Sequence, residues 1–465
     1  MALADMQIAD YIKNKPYKCG CGRIHSADID EILIGSGVIN ETGAVVDKIA
    51  AKYGFDKSVH SIFMLADGNT YKAVGEKTEN ILTERGYKIN KLILPGETQV
   101  VPDEKTIFKA LHAINREDRF IIAAGSGTIN DMCRYLCFKL GVPYIIVASA
   151  PSMDGFAANV APLVVNNKKT TYITTTPRAI IGDIDILKEA PLNLIAAGLG
   201  DILGKYNALC DWKNSNIITG ENYCAELAGM VGEATKKCEQ SADGLAKRDE
   251  RSITMLMEAL VLTGISISFW GFSRPASSAE HHVAHFWEMV FLYEGKEAVL
   301  HGAKVGVSSV AMAYLYNKLA ETDIDFDGAY AAANDFDFDK WAAAIREQYR
   351  DSADMIIEKE MNVGFYKPEN RKKRIDAIKN NLPEIIETIN KYTPPEERIT
   401  EMIKKAGGPV RPSDVGITRE TVYNGLLYAK DTRDLYSILQ ILGDLGLLDR
   451  FAASFCDFIE QIREN

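Results

Sequence analysis

The sequence predicts an α/β fold in which a parallel sheet packed between helices is followed by an all-helical region. Short apolar runs alternate with amphipathic stretches from Glu31 onward, and strand signals stop after Pro191. In addition, four of the seven histidines fall within Gly271–Val307, inside the helical part.

Taken in order, residues 1–30 are a polar extension containing Cys19, Cys21 and His25. A structural zinc needs a fourth ligand, which the sequence does not identify, so a flexible arm or small structural cap is favoured over a metal clip. Ile32–Ile34, Ser61–Leu65, Lys91–Leu94, Phe120–Ala124 and Tyr144–Ala148 read as buried parallel strands. Helices are expected over Asn69–Arg85 and Glu104–Ile114, the second with Pro102, Asp103 and Glu104 at its start. Tyr172–Thr176 and Ala179–Ile181 look extended. This divides the chain into 1–30, 31–190 and 191–465, with ligands expected at the carboxyl ends of the strands.

Two strand ends carry the informative loops. The segment Gly125-Ser-Gly127-Thr128-Ile129-Asn130-Asp131 is a glycine turn opening a helix, where backbone amides can meet a pyrophosphate. It is not a full Rossmann fingerprint, because Asn130 stands at the third glycine position. The next strand ends in Ser149-Ala150-Pro151-Ser152-Met153-Asp154, which gathers hydroxyls and a carboxylate. Asp67, after an earlier strand, offers an acidic group for a ribose hydroxyl.

In the helical part, Ser277 and Glu280 form a capping-box signature that predicts a helix start near Ser277. His281 and His285 then share one face, and His282 is turned roughly 100° away. His301 follows just before Gly302. Gly198 and Gly200 are expected to break one helix and Asp201 to open the next. There Asp201 is either an N-cap or a third metal ligand beside His281 and His301.

A formal charge of −11 argues against a nucleic-acid surface, although a local basic pocket can still hold an anion. The longest uncharged apolar run, Ala259–Phe272, reads as a buried helix too short to span a bilayer. No apolar leader follows Met1, and eight scattered cysteines suit free thiols in a reducing cytoplasm. The basic run Arg371–Arg374 reads as a solvated helix face. A homo-oligomer, dimer or larger, is expected, with no membrane span and no nucleic-acid partner.

Together GSGTIND (125–131), SAPSMDGFAAN (149–159), GLGDILGKY (198–206), SRPASSAEHHVAH (273–285) and HGAKVGV (301–307) make the chain resemble the sn-glycerol-1-phosphate dehydrogenases. These lie within the wider group of iron-type alcohol dehydrogenases, glycerol dehydrogenases and dehydroquinate synthases. The likeness covers about residues 30–450; the cysteine-bearing N-terminus departs from it. The resemblance implies an N-terminal parallel-sheet nucleotide-binding domain, a C-terminal all-helical domain and a cleft between them. It implies that Asp201, His281 and His301 bind one divalent metal (zinc, nickel or iron), while Asp154 and His285 contact substrate as catalytic residues. NAD(P) would be held by Gly125, Gly127, Thr128, Ile129, Asn130, Asp131, Ser149, Ala150, Pro151, Ser152 and Ala158, with Asp67 near the adenosine ribose. The implied reaction is reversible reduction of dihydroxyacetone phosphate, a phosphorylated triose, to sn-glycerol 1-phosphate. Lys205, Lys213, Arg274 and Lys304 are the candidate phosphate cations. A metal-dependent polyol dehydrogenase is the first alternative. A dehydroquinate-synthase-like lyase is a second, disfavoured because that family carries Glu where Asp201 stands.

Overall fold

The structure, a computed structural model, describes residues 8–11, 16–97, 99–165 and 168–461. The leader-free reading of residues 1–7 lies outside the described residues.

Six strands form one parallel sheet: β3 (Glu31–Gly35), β4 (Ser61–Asp67), β5 (Ile89–Leu94), β6 (Asp118–Gly125), β7 (Tyr144–Ala148) and β10 (Ala179–Asp183), in the order β3-β10-β7-β6-β4-β5. They follow the apolar runs of the sequence, because a strand covered on both faces is apolar at nearly every position. Alternate residues serve different cores. Ile62, Met64, Phe120, Ile122, Ile145 and Val147 pack with Val46, Ile49 and Leu82 on one side. Phe63, Leu65, Ile121, Ala123 and Ile146 pack with Met132 and Leu136 on the other. From β4 the chain steps outward to β5, then returns to place β6 on the opposite side of β4. That reversal opens a crevice beyond the carboxyl ends of β4 and β6, where Asp67 and Gly125 lie.

Two small antiparallel hairpins flank the sheet: β1 (Tyr17–Lys18) with β2 (Ile24–His25), and β8 (Val160–Val165) with β9 (Lys168–Ile173). Of the expected extended segment Tyr172–Thr176 only Tyr172 and Ile173 are strand, at the end of β9, and its partner β8 is new. Pro162 weakens the strand signal of β8, but a two-stranded ribbon has free edges that tolerate proline.

No strand follows Asp183 among the described residues. Leu192–Thr219 is a single helix of 28 residues, so Gly198 and Gly200 do not break it and Asp201 is mid-helix rather than an N-cap. The glycines answer to packing instead. A Cβ on Gly198 would stand 1.9 Å from the Pro151 carbonyl oxygen, and one on Gly200 2.5 Å from that of Gly302. Glu250–Trp270 is long and apolar enough to cross a membrane by length and composition, more than the apolar run alone suggested. However, 72% of its most apolar window is buried inside the protein, and Gly271 (φ 93°) ends it. The Arg371–Arg374 run is not simply a solvated face. Arg371 donates to the Ala332 and Gly443 carbonyls, and Arg374 pairs with the buried Asp444 at 2.6 Å.

Candidate active site

A cavity of about 490 Å³ lies over the carboxyl ends of β4, β6 and β7. Its far wall comes from the helices Ala279–Glu294 and His301–Ala320 and from the β8–β9 hairpin.

On the sheet side, Ser126 precedes the helix Gly127–Leu140 without capping it by its side chain. Its Oγ shares a 2.6 Å hydrogen bond with Ser152 Oγ and donates to the Ala150 carbonyl at 3.1 Å. The first-turn N–H groups of Gly127, Thr128 and Ile129 therefore carry no side-chain cap where they border the cavity, an arrangement suited to an anion. Gly125 and Gly127 are glycines for a further reason. A Cβ would meet Ile129 at 2.7 Å in the first case and Met153 at 2.9 Å in the second. Asp67, Asp131, Ser149, Ser152, Asp154 and Ala158 also border the cavity. Asp67 Oδ1 accepts from the N–H groups of Asn69 and Thr70, holding the loop after β4. Asp131 is paired with the buried Arg134 at 2.7 Å, yet burial pushes its pKa up to about 7. Gly125, Asn130, Ala150 and Pro151 stand behind this wall, Asn130 donating to the Gly155 carbonyl.

On the helical side the helix begins one residue later than expected, at Ala279, with Ser278 as N-cap and no Ser277–Glu280 box. Glu280 Oε1 accepts from Ser278 N at 2.8 Å and from His281 Nδ1 at 2.7 Å. With Nδ1–H taken by Glu280, His281 presents Nε2 to the site, 3.5 Å from Asp201 Oδ1. The His281–His301 and His285–His301 ring centroids lie 5.2 and 5.3 Å apart. Ligand atoms of Asp201, His281 and His301 all fall within 4.8 Å of one another, and so do those of His285, Glu288 and His301. His301 Nδ1 is buried with no hydrogen-bond partner among the described residues. Two imidazoles and a carboxylate are donors that suit a divalent transition metal and leave positions open, so the first set fits the metal the sequence implied.

The charges around this set are closely balanced. Lys205 Nζ lies 2.8 Å from Asp201 Oδ1 and 2.7 Å from Asp154 Oδ2, and Asp154 N donates to Asp201 Oδ2 at 2.9 Å. Burial would raise the pKa of Asp201, but Lys205 and then His281 outweigh it and hold the carboxyl well below its usual range. Asp154 moves upward, through burial and then the adjacent Asp201. Burial first, and Lys169 second, push His285 and His301 well below the ordinary imidazole value, which favours the neutral rings. His282 faces away from the cavity, buried, with neither ring nitrogen hydrogen-bonded among the described residues.

Of the four candidate phosphate cations only Lys304 borders the cavity. Lys205 is engaged between two carboxylates, Lys213 pairs with Glu384 at 3.0 Å, and Arg274 is buried against Glu221 at 2.9 Å. Sequence reasoning missed Lys169, Glu288 and Arg433, which border the same cavity. Glu288 continues the spacing of His281 and His285 at i+7, a signal the helical period could have supplied. Lys169 and Arg433 carry no local signal, since a hairpin and a loop 264 positions apart in the sequence bring them together. Lys169 Nζ lies 2.8 Å and Lys304 Nζ 3.6 Å from Glu288 Oε2, while Arg433 has no ion-pair partner among the described residues.

A family model described as iron-containing alcohol dehydrogenase matches residues 33–191. The chain is 30% identical over 443 residues to a Bacillus licheniformis protein named glycerol-1-phosphate dehydrogenase [NAD(P)+], covering 95% of this chain and 96% of that one. A protein of the same name from Halalkalibacterium halodurans is 35% identical over 311 residues, 66% of this chain and 76% of the other. Among solved structures, glycerol dehydrogenase from Schizosaccharomyces pombe superposes with a TM-score of 0.58 at 16% identity, over 95% and 94% of the two chains. Butanol dehydrogenase A from Thermotoga maritima gives 0.59 at 14% identity, over 92% and 98%. These two distant likenesses bear on the fold alone.

Proposed function

Since the chain belongs to the glycerol-1-phosphate dehydrogenase family, within the iron-type alcohol dehydrogenases, we propose that it interconverts dihydroxyacetone phosphate and sn-glycerol 1-phosphate with NAD(P) and a divalent metal. The observation that carries this reading is the meeting, in one cavity, of the His281–His301 pair, an uncapped helix N-terminus and the cations Lys169, Lys304 and Arg433. On this reading residues 31–190 form the NAD(P)-binding domain and 191–465 the metal-binding domain. Asp201, His281 and His301 hold the metal, which zinc, nickel or iron can provide.

When bound, the metal supplies Lewis acidity toward the carbonyl oxygen and the nicotinamide supplies the hydride. The chain does the rest. The Gly127, Thr128 and Ile129 amides hold the dinucleotide's pyrophosphate, and the Ser149 and Ser152 hydroxyls orient the part beyond it. Reduction of the ketone to the alcohol takes one hydride and one proton. His285, or a water it orients, gives or takes that proton at the substrate oxygen. Glu288 Oε2, 3.5 Å from His285 Nδ1, favours the imidazolium while the ring carries the proton. Lys304, Lys169 and Arg433 bind the phosphate, at the end of the substrate remote from the reacting carbon.

Steady-state assays with NADH or NADPH test this directly. Dihydroxyacetone phosphate should exceed dihydroxyacetone in kcat/KM by at least ~100-fold, roughly 2.7 kcal/mol of transition-state binding. The product should be the 1-phosphate enantiomer, which a 3-phosphate-specific dehydrogenase leaves untouched. Equal or faster turnover of the unphosphorylated ketone would make the protein a polyol dehydrogenase instead.

A further inference from the structure

Outside the cavity, the N-terminal hairpin completes a ligand set that its own sequence left one short. Cys19, Cys21 and His25 from β1–β2 meet Cys224, the N-cap of the helix Ala225–Gln240, with all four ligand atoms within 4.8 Å of one another. None of the four borders the active-site cavity. We propose that Cys19, Cys21, His25 and Cys224 bind a structural zinc ion that clips the hairpin to the helical region.

The spacing is that of a tetrahedron around one ion. Zinc–sulfur bonds of about 2.3 Å and zinc–nitrogen bonds of about 2.0–2.1 Å require ligand-to-ligand edges of roughly 3.5–3.8 Å. Cys19 Sγ is 3.4 Å from Cys224 Sγ, Cys21 Sγ is 3.4 Å from His25 Nε2, and Cys224 Sγ is 3.8 Å from the same nitrogen. Three sulfurs and an imidazole fill all four positions, which marks a structural rather than a catalytic site.

The surroundings suit a metal as well as the ligands do. His25 Nδ1 lies 3.2 Å from the Phe269 carbonyl oxygen, a bond that places the proton on Nδ1 and leaves Nε2 as the lone-pair atom. The His25 ring is fully buried and stacks on Phe269 with centroids 5.4 Å apart. Cys21 N–H points at Cys19 Sγ from 3.5 Å, and the turn between the ligands relies on Gly22 at φ 85°. Arg23, its guanidinium 4.1 Å over the Trp270 ring, adds a positive charge beside a set that carries three thiolates once metal displaces their protons. A disulfide would need Cys19 and Cys224 sulfurs about 2.05 Å apart, well inside the distance seen.

The clip ties together positions 205 residues apart in sequence. It seats the hairpin on Phe269 and Trp270, the last turn of the helix that runs into the Gly271–Ser278 loop. Ser273, Ala276 and Ser277 of that loop border the active-site cavity, so the ion fixes one end of the segment leading to His281.

Elemental analysis of the full chain, grown with zinc and dialysed free of loose metal, tests the proposal independently of the reading of the cavity. Cys224→Ser should lose about one zinc equivalent per chain relative to wild type, as a four-ligand site requires, while Cys238→Ser, at a buried cysteine elsewhere, should not. If Cys224→Ser does not fold, Cys21→Ser at the exposed ligand should show the same loss. Cobalt-loaded wild type should give sulfur-to-cobalt charge-transfer absorption that the Cys21 and Cys224 variants lack; the cavity's nitrogen and oxygen donors cannot produce it. Unchanged zinc content in both variants would overturn the proposal. So would a Cys19–Cys224 disulfide in a non-reduced peptide map of freshly purified protein.

Discussion

Lys205 Nζ lies 2.8 Å from Asp201 Oδ1, one turn along the same helix, and both side chains are wholly buried. With Asp154 on the other side of the ammonium, two carboxylates share a single positive charge. Replacing Lys205 by Met should leave that negative charge uncompensated and cost about 3–5 kcal/mol of stability in metal-free protein. A divalent cation should restore more of the lost Tm in the variant than it adds to wild type. Melting curves with chelator and with added metal give both numbers, and superimposable curves for the two proteins would contradict the balance described.

His301 belongs to both three-residue sets, so its neighbours decide which one holds metal. His281→Ala and His301→Ala should each lose the cavity metal and all turnover while the helical circular dichroism stays near wild type. Glu288→Gln should keep that metal and lose turnover, because on our reading Glu288 supports His285 and the substrate side. Metal loss in Glu288→Gln with full retention in His281→Ala would transfer the centre to His285, Glu288 and His301.

The cations on the far wall should govern the phosphate specifically. Lys304→Ala and Arg433→Ala are each expected to lower kcat/KM for dihydroxyacetone phosphate by about 10–100-fold, the loss of one or two charge-assisted bonds. The rate with unphosphorylated dihydroxyacetone should change far less. A parallel fall for both substrates would mean that these residues support the fold or the metal rather than the phosphate.

His282 and His285, three positions apart, should behave oppositely. His285→Ala should retain metal and lose catalysis. His282→Phe should retain activity and match or exceed wild-type stability, by up to about 1–3 kcal/mol, because it removes two buried ring nitrogens that lack partners. A thermal melt and a single-substrate assay separate the two outcomes; loss of activity in a folded His282→Phe protein would reverse the assignment of the two faces.

Much of this was legible from residue order because it depends on local periodicity. The parallel strands announce themselves as apolar runs, and helical spacing alone puts His281 and His285 on one face. What could not be read depends on which surfaces meet. Gly198 and Gly200 look like helix breakers until Pro151 and the helix His301–Ala320 are found against them. Cys224 sits about 200 residues from Cys19, in a stretch without metal-binding spacing, and Arg433 reaches the cavity from a loop near the C-terminus. Neither residue differs in its neighbourhood from one with no special place.

Where the Asp201 helix passes the start of the His301 helix, the closest contacts are made by main chain. A Cβ on Gly302 would come within 2.0 Å of the Ala197 carbonyl oxygen, and one on Gly306 within 3.0 Å of Gly200 Cα. At these points the separation of Asp201 from His301 is therefore set by the thickness of the polypeptide backbone. A side chain added at any of these glycines should move Asp201 relative to His301 more directly than a replacement elsewhere in the helical core. A designer grafting new substrate preferences onto this scaffold can vary cavity residues to which no role is assigned, such as Phe291, Leu292 and Val299, provided the glycine seam is left alone.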